Sequence, residues 1–235
     1  MPATCLVTGA TGAVGPAVVH ACAARGYQVR TLVRHAPPEG TLPRGVEILT
    51  GDITEKPTAE AAVAGVDVVL HLAAMLHRFE LVAEERGALE RTNVEGTRML
   101  LHEALDARVR RFVLFSTIAV YGPTGGARVD EDAPANPDTE YARSKRRAEE
   151  LVLAAGSIGT VLRLAAVYGS RVKGNYRDLV TALAAGKYVS IGAGANRRTL
   201  VHEHDAAAAA AIAATHPGAA GRVYNVTDGS CHELR

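Results

Sequence analysis

The chain has 235 residues, with 26 Lys and Arg against 25 Asp and Glu, nine His, three Cys and no Trp. That length suits one domain, or a nucleotide-binding domain with a small appendage, and 48% apolar with 22% charged residues excludes a disordered chain. A net charge of +1 provides no broad field for nucleic acid or an anionic membrane. The alanine-rich run Ala206–Ala214 is too short to span a bilayer. Cys5, Cys22 and Cys231 form neither a disulfide framework nor a metal-ligand spacing. Met1-Pro2-Ala3-Thr4 carries no basic segment, so no signal peptide is expected, and a reducing cytoplasm is the expected location.

Short apolar runs alternate with helical patterns along the chain. Thr4–Thr8 is β-rich and ends in Gly9, and a helix is predicted from about Ala13 to Arg25, closed by Gly26. Strands are predicted at Gln28–Val33, Val46–Leu49 and Val66–Leu72, followed by a long polar, helical stretch over about Val82–Ala107. The strand Arg111–Ser116, a helix over about Tyr141–Ala155 and the strand Thr160–Ala165 complete the clear part. Such alternation predicts an α/β fold with a parallel sheet covered on both faces. No linker separates two independent domains.

Thr8-Gly9-Ala10-Thr11-Gly12-Ala13-Val14-Gly15 lies between a strand and a helix. Its glycines permit a tight turn, close backbone approach to a pyrophosphate and close helix–strand contact. The helix N-terminus then offers N–H groups and a positive dipole end to the anion. The alternative is a packing turn; strand before and helix after favour a dinucleotide. At the end of the second strand, Thr31-Leu32-Val33-Arg34-His35 lacks the acid that accepts a ribose 2′-hydroxyl in NAD sites. Arg34 could pair with a 2′-phosphate, which favours NADP over NAD; otherwise it stacks on the adenine or faces solvent.

Tyr141 and Lys145 are four apart, on one face of the predicted helix. An ammonium beside a phenol lowers its pKa from about 10 towards neutrality, which makes the tyrosine a general acid or base. The lysine can also hold a nicotinamide ribose; the plain alternative is a solvated helix face. Thr117 follows the strand Arg111–Ser116, where strand ends line the ligand crevice of a parallel sheet. Its hydroxyl could share a hydrogen bond with the substrate oxygen, whereas Ser116 is expected to bond backbone or lie on the cofactor side.

Together these segments resemble the extended short-chain dehydrogenase/reductases, the group containing nucleotide-sugar epimerases and dehydratases. The matching pieces are the glycine loop, Gly51-Asp52-Ile53, His71-Leu72-Ala73-Ala74, Asn93-Val94-Glu95-Gly96-Thr97, Ser116–Gly122, the Tyr141/Lys145 pair, Arg163–Gly169 and Arg197–Asp205, in the family's order. The resemblance implies a Rossmann-type doubly wound parallel sheet over 1–165. It also implies a small, truncated substrate-binding part over 166–235, interleaved with the end of the sheet. To the cofactor site read from the glycine loop (Gly9, Thr11, Gly12, Ala13, Val14 and Gly15), Arg34 and Ser116, the resemblance adds Asp52 and Ile53 at the adenine end, Leu72, Ala73 and Ala74 along the dinucleotide, and Asn93 near the active site. Thr117, Tyr141 and Lys145 would be catalytic. Without the resemblance, Asp52 reads as a turn residue and His71 as a satisfied core histidine.

Family dehydratases carry Asp and Glu after the catalytic Thr, whereas Ile118 and Ala119 stand here and transfer no proton. What remains is NAD(P)-dependent hydride exchange at a carbinol or keto carbon of a nucleotide sugar. Val172–Tyr176 and Asn196–His202 resemble segments of 4-epimerases and 4-ketoreductases, which implies Asn175 in the substrate site and Arg198 or Arg197 on the substrate diphosphate. The family also implies a homodimer. Arg163-Leu164-Ala165-Ala166-Val167-Tyr168-Gly169-Ser170 lacks two prolines and an Asn of the family pattern. The alternatives are a reductase of a small aldehyde, ketone or sterol-like substrate, and a dinucleotide-binding sensor without turnover. His202, Glu203, His204 and Asp205 suggest no metal: strand alternation would put the two histidines on one side, with Asp205 as N-cap of the alanine-rich helix.

Overall fold

In the computed structural model, residues 2–76, 83–171, 181–182, 184–187 and 197–233 are described. The main sheet has seven parallel strands. They are β1 (Thr4–Thr8), β2 (Gln28–Val33), β3 (Glu47–Thr50), β4 (Val68–His71), β5 (Arg111–Thr117), β6 (Gly159–Leu164) and the late strand β10 (Arg222–Val226). Their spatial order is β3-β2-β1-β4-β5-β6-β10. The chain therefore leaves the β3 edge, crosses over and resumes at β4 beside β1, and this reversal opens a crevice at the carboxyl ends of β1 and β4.

Period-two alternation divides the core into two layers. Cys5, Val7, Val113 and Phe115 face a layer with Val18, Val19 and Cys22 of α1 (Gly15–Ala24) and Ala206, Ala207 and Ala210 of α6 (Glu203–Ala213). Leu6, Val69, Phe112 and Leu114 face the other. There they meet α2 (Lys56–Val63), α4 (Gly96–Asp106) and α5 (Glu140–Ala154), through Ala59, Val63, Leu100, Ala104, Ala148 and Val152. Burial on both faces explains why the strands read as apolar runs. The small side chains of α6 let it lie close against α1.

The long helical stretch before β5 is three pieces. α3 (Ala83–Glu90) passes into a π-helical turn over Arg91–Glu95, and α4 follows. The chain beyond residue 165 supplies β10 and α6, together with the short strands β7 (Ala166–Tyr168), β8 (Arg197–Arg198), β9 (Leu200–His202) and β11 (His232–Glu233). Here the alternation expected for His202–Asp205 is corrected. β9 ends at His202, whose ring nitrogen accepts from the His204 N–H at 3.3 Å as the helix N-cap, and Asp205 lies within the first turn. A carboxylate there suits the helix dipole without capping it.

Candidate active site

Gly9 leaves β1 with φ +69, and a Cβ on it would press on the backbone of Leu72 and Ala73. Only glycine combines that left-handed turn with that approach. The Gly12 N–H donates to the Gly9 carbonyl at 3.0 Å, closing the turn. A Cβ on Gly15 would run into the backbone of Gly9 and Ala10, so the helix starts directly on the loop. α1 begins with no side-chain cap and no acidic residue in its first turn. Its amides and its dipole are thus left to an external anion, and this donor set fits a pyrophosphate.

α5 starts where the Thr139 hydroxyl accepts from the Ala142 N–H at 3.2 Å, so Tyr141 falls in the first turn and Lys145 one turn further in. The buried stripe of this helix is unusual: Lys145 and Glu149 lie in it with Ala148 and Val152. Burial lowers the Lys145 pKa to about 8, opposed by the Glu149 charge. Burial raises that of Tyr141 to about 12. Burial thus moves the Tyr141 phenol in the direction opposite to the one expected from the Tyr/Lys pair.

A cleft of about 780 Å³ opens over the loop. Gly9, Thr11, Gly12, Ala13, Val14 and Gly15 form one side, Leu72 and Ala74 the next, and Ser116, Thr117 and Tyr141 face them. Arg198 lines it too, whereas Arg197 turns to Glu233, with its Nε 3.3 Å from the carboxylate. The structure thus separates two neighbours that the sequence left as alternatives. Leu76, Phe115, Leu164, Val167 and Arg171 also line the cleft. The sequence reading missed these, because nothing local distinguishes a wall residue from a core residue. Asn175 lies outside the described residues.

Several expected cofactor residues stand apart from this cleft. Arg34 is exposed beyond β2. Asp52 accepts from the Thr54 N–H and hydroxyl, both at 2.8 Å, as a turn residue does. Ile53 is buried against α4, where a Cβ on Gly96 would strike it. The Ala73 N–H is held by Thr8 Oγ1 at 3.2 Å. Ser116 lines the cleft, but its hydroxyl donates to Glu149 at 2.5 Å rather than to backbone. Thr117 Oγ1 accepts from the Ala119 N–H at 3.2 Å and keeps its own proton to donate.

Asn93 sits in the π-helical turn with every polar atom engaged. Its Oδ1 accepts from the Met75 N–H at 2.7 Å, and its Nδ2 donates to the Met75 carbonyl and to Ser144 Oγ. Ser144 in turn donates to the Tyr141 carbonyl at 2.8 Å. Asn93 thereby ties the Leu72–Leu76 wall to the helix of Tyr141, a use of the π-turn that the sequence concealed. His71 completes the support. Thr97 Oγ1 donates to the Asn93 carbonyl at 2.7 Å, so it accepts from His71 Nε2–H at 3.0 Å, and His71 Nδ1 accepts from Thr8 at 2.7 Å. Burial, with Lys145 nearby, drives the His71 pKa down to about 3. It is a satisfied core histidine.

A parallel sheet with a glycine loop at its switch point, facing a Tyr/Lys helix, defines a dinucleotide-dependent oxidoreductase scaffold. A model of the NAD dependent epimerase/dehydratase family matches residues 5–227. The chain is 32% identical to UDP-glucose 4-epimerase of Vibrio cholerae over 239 residues, covering 97% of this chain and 72% of that one. It is also 32% identical to a 4-hydroxy-2-methyl-3-oxo-4-farnesyl-3,4-dihydroquinoline-1-oxide ketoreductase of Stigmatella aurantiaca, covering 97% and 69%. The solved structure of MoeE5 in complex with UDP-glucose and NAD aligns with a TM-score of 0.85 at 28% identity, over 98% of this chain and 78% of that one. The chain belongs to the NAD dependent epimerase/dehydratase family. It is an enzyme of the extended short-chain dehydrogenase/reductase type, and among its described residues no helix is long and apolar enough to cross a membrane.

Proposed function

We propose that this enzyme exchanges a hydride with a carbinol or keto carbon of a nucleotide sugar, with Tyr141 as general acid/base. The observation that carries this is the single cleft shared by the glycine loop, Thr117, Tyr141 and Arg198. A bound nicotinamide supplies the hydride acceptor or donor. Gly9, Gly12 and Gly15 would hold its pyrophosphate, and Lys145 would hold its ribose. With a pKa of about 12, the Tyr141 phenol keeps its proton at neutral pH and is ready to protonate a carbonyl oxygen. In the oxidising direction it must be made more acidic, and Lys145, mostly ammonium below a pKa of about 8, is the cation on its own helix face. Thr117 would donate its remaining proton to the same substrate oxygen. Arg198 would bind the substrate diphosphate, with Asn175 as a further substrate contact.

Ile118 and Ala119 supply no acid or base for removing water from the sugar, so we favour epimerisation or keto reduction over dehydration. Arg34, with no acid beside it, supports NADP over NAD. The family's pattern further supports a homodimer through α4 and α5; light scattering giving a monomer at micromolar concentration would remove it. The apolar cleft wall of Leu76, Phe115, Leu164 and Val167 favours a second reading, reduction of an apolar ketone. Nicotinamide absorbance followed with UDP-, GDP- and dTDP-sugars against small ketones decides between the two. Turnover with ketones alone would refute the nucleotide-sugar reading.

A further inference from the structure

A charged pair buried under the catalytic edge is used by none of the steps above. Glu149 is fully buried and Arg163 is 3% exposed. Arg163 Nη2 lies 2.8 Å and its Nε 3.1 Å from the carboxylate. The same carboxylate takes the Ser116 hydroxyl and, at 3.3 Å, Arg146 Nη1. The other face of Arg163 is also occupied. Its Nη1 donates to Tyr121 Oη at 2.8 Å, and Tyr121 donates to Asn225 Oδ1 at 2.8 Å. One carboxylate therefore joins α5, β5 and β6, and its guanidinium partner extends the link to β10. Buried pairs add little net stability over an apolar replacement, so stability alone does not account for this one; their better-attested use is to specify geometry. Here the geometry specified is that of the cleft. Ser116 precedes Thr117 at the strand end, and Glu149 follows Lys145 by one turn of the same helix.

We propose that Glu149 is a positioning residue, clamping α5 to the carboxyl ends of β5 and β6 so that Tyr141 and Lys145 are held in register with Thr117. One turn further along the same helix, its carboxylate also favours the charged form of Lys145. The proposal rests on the function proposed above. Among the described residues, the titratable and charged groups around Lys145 are Tyr141 and Glu149 on its own helix and His71 of β4, with Arg163 of β6 and Arg146 behind the carboxylate. Tyr141 and His71 are neutral at pH 7, which leaves Glu149 as the anion in this set.

The chain has four lysines, so 13Cε-lysine NMR resolves Lys145, assigned by the signal that Lys145→Arg removes. Its titration, the melting temperature, and kcat and KM are measured for the whole chain, for Glu149→Gln and for Glu149→Gln/Arg163→Met. The Lys145 midpoint should fall by about one pH unit in Glu149→Gln, where the carboxylate favouring the ammonium is gone and the Arg163 charge remains, and by less in the double variant, which removes both charges. Melting temperature should drop in the single variant and recover in the double one, which leaves no unpaired charge. Turnover should stay about a hundredfold down in both, mostly in kcat, because a displacement near 1 Å costs about that much. Glu149→Asp, which keeps the charge but shortens the reach to Ser116, should lose turnover with the Lys145 midpoint unmoved. A midpoint unchanged in Glu149→Gln, or turnover that returns with melting temperature in the double variant, overturns the proposal. Absence of turnover in the unsubstituted chain would instead refute the function proposed above, with the Lys145 midpoint still readable.

Discussion

Replacing Gly15 by Ala tests the phosphate loop at its tightest point. The added methyl would come within 3.0 Å of the Gly9 carbonyl oxygen and the Ala10 carbonyl, a separation real Cβ atoms essentially never show. These are backbone atoms, so no side chain can swing away, and loop and helix must part by about 1 Å to reach ordinary contact. A donor displaced by about 1 Å no longer makes a hydrogen bond near 3 Å, and a charge-assisted bond contributes about 1.5–3 kcal/mol. Dinucleotide affinity should therefore fall about ten- to hundredfold. Overpacking adds a folding cost of about 1–3 kcal/mol. Titration calorimetry reads the first quantity and urea unfolding the second. Gly26→Ala is the control: its φ of +81 strains the backbone, but nothing lies within 4 Å, so stability should fall slightly with affinity kept. Gly12→Ala, whose methyl would meet only the Gly9 oxygen at 3.2 Å, should fall between them. A Gly15→Ala chain that binds dinucleotide as tightly as the unsubstituted one would refute the reasoning.

The other predictions concern charge. His71, usually near pKa 6.5 when unfolded, titrates near 3 in the folded chain, so between those values the unfolded state binds the extra proton. Stability from this group is full above about pH 6.5 and is lost as pH falls, by about 2 kcal/mol at pH 5. His71→Gln should flatten that slope in urea unfolding at pH 5 and 7.5, and parallel slopes would discard the assignment. Arg34→Ser should weaken NADP binding about tenfold and leave NAD within about twofold, measured by fluorescence titration. An equal loss of both would make Arg34 an adenine contact rather than a 2′-phosphate contact. Arg198→Ala should raise KM for nucleotide-diphosphate substrates about tenfold with little change in kcat, whereas Arg197→Ala, already paired with Glu233, should change neither. The reverse ranking would show that the wrong arginine had been chosen.

The sheet was legible because its strands are buried on both faces and read as apolar runs broken by glycine. The glycine loop was legible because steric need limits Gly9 and Gly15 to one residue type. Less legible was whatever depends on partners distant in sequence. The π-turn at Arg91–Glu95 leaves no periodic mark, and Asn93 gave no hint of its partners Met75 and Ser144, 18 and 51 residues away. Ser116 gave no hint of Glu149, 33 residues on. The alanine-rich helix was evident, but its start was misjudged: Asp205 is the better capping residue by type, yet the end of β9 fixed the cap at His202. Tyr141 and Lys145 were found by spacing alone, but their protonation follows burial, which spacing does not report.

The most direct measurement of the central claim is turnover of the purified chain, against Tyr141→Phe, with NADP(H) and NAD(H) offered UDP-, GDP- and dTDP-sugars and their 4-keto forms. Removing one hydroxyl should cut turnover by about a hundredfold or more while dinucleotide affinity stays within about twofold. A Tyr141→Phe enzyme that turns over at the original rate, or a chain that binds dinucleotide and transforms none of these substrates, would contradict the account.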